Sequence, residues 1–128
     1  MRVLCVSDKG SGGFVREGNI YNVYAILMGD DGLSILLSED FDFPMNHPLE
    51  SFKILSHSLP PNWFFRFINQ KETETRKDLL KAIWGYKEIV YYRDHYYNLI
   101  DRESGARNIF RKRKEEIDEY EKLRSRKT

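Results

Sequence analysis

His95 is the side chain best placed for proton transfer, with Asp94 before it and Tyr96 and Tyr97 after it. A histidine flanked by a carboxylate and phenols has the make-up of a general base. The same residues also read as a helix start, with Asp94 as the N-cap and an exposed His95 beside it, and that reading needs no chemistry. His47 and His57 lie far from it along the chain and match no metal spacing. Cys5 is the only cysteine. No intramolecular disulfide can form, a structural zinc site lacks ligands, and a reducing, cytoplasmic setting is expected. Within Arg2-Val3-Leu4-Cys5-Val6 the thiol reads as a small buried apolar group. No catalytic, cofactor-binding or metal-binding residue is therefore expected.

Gly10-Ser11-Gly12-Gly13 suggests a phosphate cradle. A phosphate-binding loop would end in Gly-Lys-Ser/Thr and open a helix, whereas here Phe14-Val15 and another turn follow. The segment reads as a flexible loop. Asp30, Asp31, Glu39, Asp40 and Asp42 occupy two neighbouring turns but lack the alternation and closing glutamate of a calcium loop. They read as solvated turns, with a recognition patch for a basic partner as the sharper alternative. That partner could be the chain's own basic end or a second copy.

Arg107, Arg111, Lys112, Arg113 and Lys114 form the densest basic cluster, on a predicted helix. Such helices bind phosphate backbones through counterion release, so nucleic acid is the second functional reading. Glu115, Glu116, Asp118, Glu119 and Glu121 follow at once and would repel the same backbone. They also create i,i+4 pairs, Arg111–Glu115, Lys112–Glu116 and Lys114–Asp118, as on a solvated, self-paired helix. The aromatic series Trp63, Phe64, Phe65, Phe67, Trp84, Tyr86, Tyr91, Tyr92, Tyr96 and Tyr97 exceeds what one thin core layer needs. Most of it should be core. Trp84, Tyr86, Tyr91, Tyr92, Tyr96 and Tyr97 are the candidate partner-binding surface, because Tyr and Trp are favoured interface anchors.

The elements that must position these groups change texture at Leu59-Pro60-Pro61. Residues 1–58 read as short strands broken by Gly and Asp, and residues 59–128 as an aromatic segment and a helical arm. Charge changes with texture. Residues 1–58 hold four Lys/Arg against eight acids, and residues 107–128 hold nine Lys/Arg against five acids. Strands are predicted at 2–6, 20–28, 33–37, 41–43 and 52–55, with Gly29-Asp30-Asp31-Gly32 as a hairpin turn. Five short strands of this kind suggest a small open barrel. Beyond them, 62–69 reads as β-like, while Thr73–Asp78 opens a helix carrying Leu79, Leu80, Ile83 and Trp84. Lys87–Tyr92 leans to helix. A last helix runs from Asp94, either continuous or broken near Ser104-Gly105. Its apolar stripe thins beyond Arg111, which predicts a helix end that projects into solvent or packs on a partner.

Val3-Leu4-Cys5-Val6, the glycine loop, Phe14, Gly18, Tyr21 and Val23 together resemble a group of small uncharacterised phage and prophage proteins. The resemblance covers about the first 55 residues. It implies a barrel of the Src-homology-three type (SH3-like) and a small accessory protein that binds a host or phage macromolecule. It implies no catalytic residues.

These readings combine into an α+β protein in which a five-stranded SH3-like barrel (1–58) packs with the segment 59–128 as one unit. The function expected is non-enzymatic capture of a protein partner, as a regulator or inhibitor of a host protein. Self-association through the C-terminal helix is expected as well. Apolar runs of only a few residues predict no membrane span. Met1 leads straight into the first predicted strand, so no signal peptide is expected.

Overall fold

The computed structural model describes residues 1–38, 44–68, 80–92 and 94–126. Among them run β1 (Arg2–Cys5), β2 (Ile20–Asn22), β3 (Ala25–Gly29), β4 (Gly32–Leu37), β5 (Met45–Pro48), β6 (Phe52–Ser56), β7 (Phe64–Phe67) and β8 (Ala82–Gly85). Three helices follow, α1 (Lys87–Tyr91), α2 (His95–Ile100) and α3 (Ser104–Arg126). The strands form two antiparallel sheets, one in the order β2-β1-β6 and one in the order β5-β4-β3-β8-β7.

The α+β class stands, but the expected five-stranded barrel does not form. Residues 20–28, read as one strand, are two. The Val23 N–H bonds Met1 O at 3.0 Å while the Tyr24 N–H bonds Leu36 O at 2.9 Å, so the chain changes sheets between these residues. β5 pairs only with β4 and β6 only with β1, which leaves the ladder unclosed among the described residues. The free side of β3 is taken by β8, a strand from beyond Pro60-Pro61. The large sheet is thus built from both halves of the chain.

A second correction concerns Ile83 and Trp84, expected on a helix. They lie in β8, which pairs with β3 on one side and β7 on the other. Ladder hydrogen bonds on both edges outweigh a helical spacing that rests on two or three apolar residues. The predicted strand 41–43, the helix start 73–78 and Leu79 fall outside the described residues. The β-like run at 62–69 and the Lys87–Tyr92 helix correspond to β7 and α1.

Turn chemistry explains the central hairpin. Gly29 pairs with Gly32 around Asp30-Asp31, and Gly32 closes the turn at φ +112°, a conformation that favours glycine. The C-terminal helix is broken, at residues 101–103, just before Ser104-Gly105. The chain leaves α2 through Arg102 at φ +61°. Glu103 then caps α3, its carboxylate accepting the N–H groups of Gly105 at 2.8 Å and Ala106 at 3.0 Å. Those backbone bonds draw the Glu103 carboxyl below its ordinary range. Asp94, the expected N-cap of α2, makes no capping hydrogen bond.

The large sheet has a core on each face, as alternation along β4 dictates. Leu36 points with Tyr24, Leu27, Ile83 and Tyr86 toward Ile89, Leu99, Ala106 and Phe110 of the helices. Ile35 and Leu37 point the other way, onto Val3, Cys5, Tyr21 and Phe52 of the small sheet. Trp63 packs against both clusters. The thin end of α3, expected to project into solvent or to pack on a partner, docks through polar groups. Asp118 accepts hydrogen bonds from Tyr24 Oη at 2.6 Å and Asn22 Nδ2 at 2.9 Å. Tyr120 Oη donates to Leu59 O at 3.1 Å, and the buried Glu121 pairs with the Met1 α-ammonium and with Arg124.

Candidate functional site

β7, Phe64-Phe65-Arg66-Phe67, is the last strand of the large sheet, and among the described residues it pairs with β8 alone. Its composition suits a strand, since aromatic residues favour a pleated surface. What is unusual is that aromatic rings stand on both faces, with Arg66 the one polar side chain of the strand. Phe65 stands opposite Trp84 in register, with ring centroids 4.5 Å apart, and Phe67 meets Phe65 edge-on at 4.7 Å. Phe65 is 38% exposed and Phe67 73%. On the opposite face Phe64 meets Tyr91 of α1 at 5.3 Å, and Arg66 Nε donates to Val90 O at 2.8 Å. Gly85 allows α1 to sit this close, because a Cβ there would lie 2.8 Å from Ile89 Cγ2.

An edge strand presents unpaired N–H and C=O groups that can template a further strand, and proteins commonly protect such edges with charge, proline or a bulge. β7 carries one charge, Arg66, and that side chain turns inward to α1. The result is a backbone edge flanked on both sides by exposed aromatic rings. Its chemistry suits main-chain pairing with an extended segment, with ring pockets for alternate side chains.

The candidate aromatics divide. Tyr91 and Tyr92 are exposed, and Trp84 is half-buried beneath Phe65. Tyr86 is core, its hydroxyl 2.7 Å from His95 Nε2. Burial pushes the Tyr86 phenol well up and the His95 imidazole down. Tyr96 is half-buried and bonded through its hydroxyl by Asn46 Nδ2, and Tyr97 meets it edge-on at 5.2 Å. Phe64, Phe65 and Phe67 are exposed aromatics outside that candidate set, in contact with Tyr91, Trp84 and Phe65 respectively. In the sequence these three belong to the same aromatic series, but their exposure depends on β7 being the edge strand.

The expectation of an exposed His95 is corrected. It is 5% exposed at the start of α2, as a core histidine satisfied by the Tyr86 phenol. His47 is also buried, edge-on to Phe52 at 6.1 Å, and burial lowers its pKa. His57 is exposed. Cys5 is buried and its thiol is pushed up by that burial. Among the described residues no group of three His, Cys, Asp or Glu is placed to hold a metal ion, and no helix is long and apolar enough to cross a membrane. No helix follows the Gly10–Gly13 loop, and the chain runs on to β2.

The basic cluster is partly neutralised. Arg113 grips both carboxylate oxygens of Glu88, at 2.7 and 2.8 Å, and reaches Glu116 at 2.9 Å. The Arg113 hydrogen bonds hold the Glu88 carboxyl below its ordinary range. Lys114 pairs with Asp118 at 2.6 Å and lies 5.5 Å from the Tyr24 ring centroid. Arg107 is half-buried, while Arg111 and Lys112 are exposed. Among the acids, Asp30 pairs with Lys81 at 2.9 Å and Asp31 is exposed. Glu39, Asp40 and Asp42 lie outside the described residues. No family model, curated protein or solved structure matches this chain.

Proposed function

We propose that this chain is a non-enzymatic protein-binding module that takes an extended segment of a partner protein along β7. The observation that supports the reading is the pair Phe65 and Phe67, exposed on an edge strand whose outer side has no ladder partner among the described residues. Main-chain pairing supplies affinity in such a mode, and Trp84, Phe64 and Tyr91 supply specificity at alternate positions. Catalysis at His95 has little support, because a general base must reach its substrate and this side chain lies in the core.

Nucleic-acid binding through Arg107, Arg111, Lys112, Arg113 and Lys114 draws less support than the sequence suggested, since Arg113 and Lys114 are committed to carboxylates. Titration with unrelated DNA and RNA at two salt concentrations separates the readings. The protein-binding reading expects negligible affinity even at low salt. Tight binding that falls steeply with salt would replace it with the nucleic-acid reading.

A further inference from the structure

We infer that the segment taken at β7 is an acidic-apolar strand, with apolar residues opposite Phe65 and Phe67 and a carboxylate between them, opposite Arg66. The inference rests on the β7 reading and gives its partner a chemistry. Register fixes which backbone groups are on offer. Along an antiparallel ladder, residues whose N–H and C=O groups face one neighbour alternate with residues whose groups face away from it. The Ile68 N–H donates to Lys81 O at 2.8 Å, so Ile68 faces β8, and by alternation Arg66 and Phe64 face it too. The groups of Phe65 and Phe67 are left facing outward. Among the described residues no backbone bond outside the ladders reaches either of them.

Every described strand pair is antiparallel, and a strand added to β7 in the same sense continues the sheet. It places two alternate residues opposite Phe65 and Phe67, with their side chains on the face of those rings. Phe65 lies over Trp84 and Phe67 meets Phe65 edge-on, so this face is an aromatic row, which pairs best with β-branched or aromatic side chains. The partner's middle residue falls opposite Arg66, on the face where Phe64 and Arg66 contact α1. The charge there is positive. The Arg66 guanidinium stays charged whatever it bonds. Lys87 of α1 is exposed, and the one carboxylate of α1, Glu88, is gripped by Arg113. Opposite charges directly across a ladder attract and like charges repel, so a carboxylate fits the middle position and Lys or Arg does not. The same rule sets aside a second copy. Two-fold pairing of β7 with itself that uses both outward residues aligns Phe65 with Phe67 and puts Arg66 opposite Arg66.

The test adds two end-blocked synthetic peptides to the isotopically labelled full chain, identical except for a central Val-Glu-Val or Val-Lys-Val, and follows amide hydrogen exchange. In the free chain the Phe65 and Phe67 amides should exchange fast and those of Arg66 and Ile68 slowly. The Val-Glu-Val peptide should slow Phe65 and Phe67 saturably, and the Val-Lys-Val peptide should bind about threefold to tenfold more weakly. Methylating both valine amide nitrogens of the Val-Glu-Val peptide should abolish the protection, because those N–H groups face β7. Methylating the glutamate nitrogen should not. Arg66→Gln should erase the difference between the two peptides, and a difference that persists in the folded variant would overturn the role of Arg66. Should Arg66→Gln fail to fold, the two peptides on the unaltered chain decide alone. Equal binding of both peptides at Phe65 and Phe67 would overturn the acidic assignment and leave the β7 reading standing. Protection by neither would overturn the inference as well, while loss of a co-purifying polypeptide in Phe65→Ser/Phe67→Ser would still mark β7 as the site. Protection of these amides in the free chain that grows with protein concentration would put a second copy in the partner's place.

Discussion

Phe110→Ala tests whether α3 is part of the folded unit or an arm attached to it. Phe110 is fully buried and meets Tyr24 edge-on, with ring centroids 5.5 Å apart. It belongs to the cluster that joins Leu27, Leu36 and Ile83 of the large sheet to Ile89, Leu99 and Ala106 of the helices. Truncating a fully buried phenylalanine costs about 3–5 kcal/mol through lost transfer energy and the cavity left behind. Roughly 0.5–1.5 kcal/mol of that belongs to the aromatic pair. Against a typical domain stability of about 5–15 kcal/mol, the variant loses a large share of its margin. Urea unfolding followed by far-ultraviolet circular dichroism and by tryptophan fluorescence measures it. Both probes should move together to a lower midpoint with an unchanged slope. Leu123→Ala on the same helix, 48% exposed, should stay within about 0.5 kcal/mol of the parent. A Phe110→Ala loss under about 1 kcal/mol, well below what a buried phenylalanine costs, would refute the docked helix. So would a helical transition that separates from the fluorescence transition.

Acid should weaken the fold in two steps. His95 and His47 are held below the ordinary 6.5 by burial, so the native state prefers them neutral. The unfolded chain takes up these protons first, and stability falls as pH drops below 6.5. Glu88, held below 4.5 by Arg113, contributes stability above that value which is lost as pH falls further. Urea midpoints across pH should show the upper step reduced in His95→Gln, and an unchanged profile would contradict the buried histidine. Gly85→Ala should cost about 1–3 kcal/mol, because its Cβ would sit 2.8 Å from Ile89 Cγ2. Combined with Ile89→Ala, the double variant should cost less than the two singles together. Glu103→Ala should speed amide exchange at Gly105 and Ala106 without changing it at Phe110, since only the cap is removed.

Local signals were read well where local physics decides. The Gly29–Gly32 hairpin, the aromatic strand β7 and the short helix α1 follow from turn chemistry and composition. What sequence reasoning missed is settled by distant partners. The strand split at Val23-Tyr24 depends on Met1 and Leu36, which capture successive N–H groups for different sheets. β8 is a strand because β3 and β7 flank it. The end of α3 looked unanchored because its docking is polar, through Asp118, Tyr120 and Glu121, and polar residues in a helix read as solvent-facing. Glu103 acts as the cap of α3 only because the chain breaks just before it. At the candidate site the aromatic excess, which includes Phe64, Phe65, Phe67, Trp84, Tyr91 and Tyr92, was legible. The exposure of Phe65 and Phe67 was not, because it depends on β7 being the edge.

The most direct test of partner capture at β7 is a quantitative comparison of what co-purifies with the intact chain and with Phe65→Ser/Phe67→Ser. Ile20→Ser/Leu55→Ser, on the exposed outer face of the small sheet, serves as the matched control. The account predicts a polypeptide retained in fixed proportion by the intact chain and the control and lost from the β7 variant, with unchanged unfolding midpoints in both. Retention of the same polypeptide by Phe65→Ser/Phe67→Ser would contradict it.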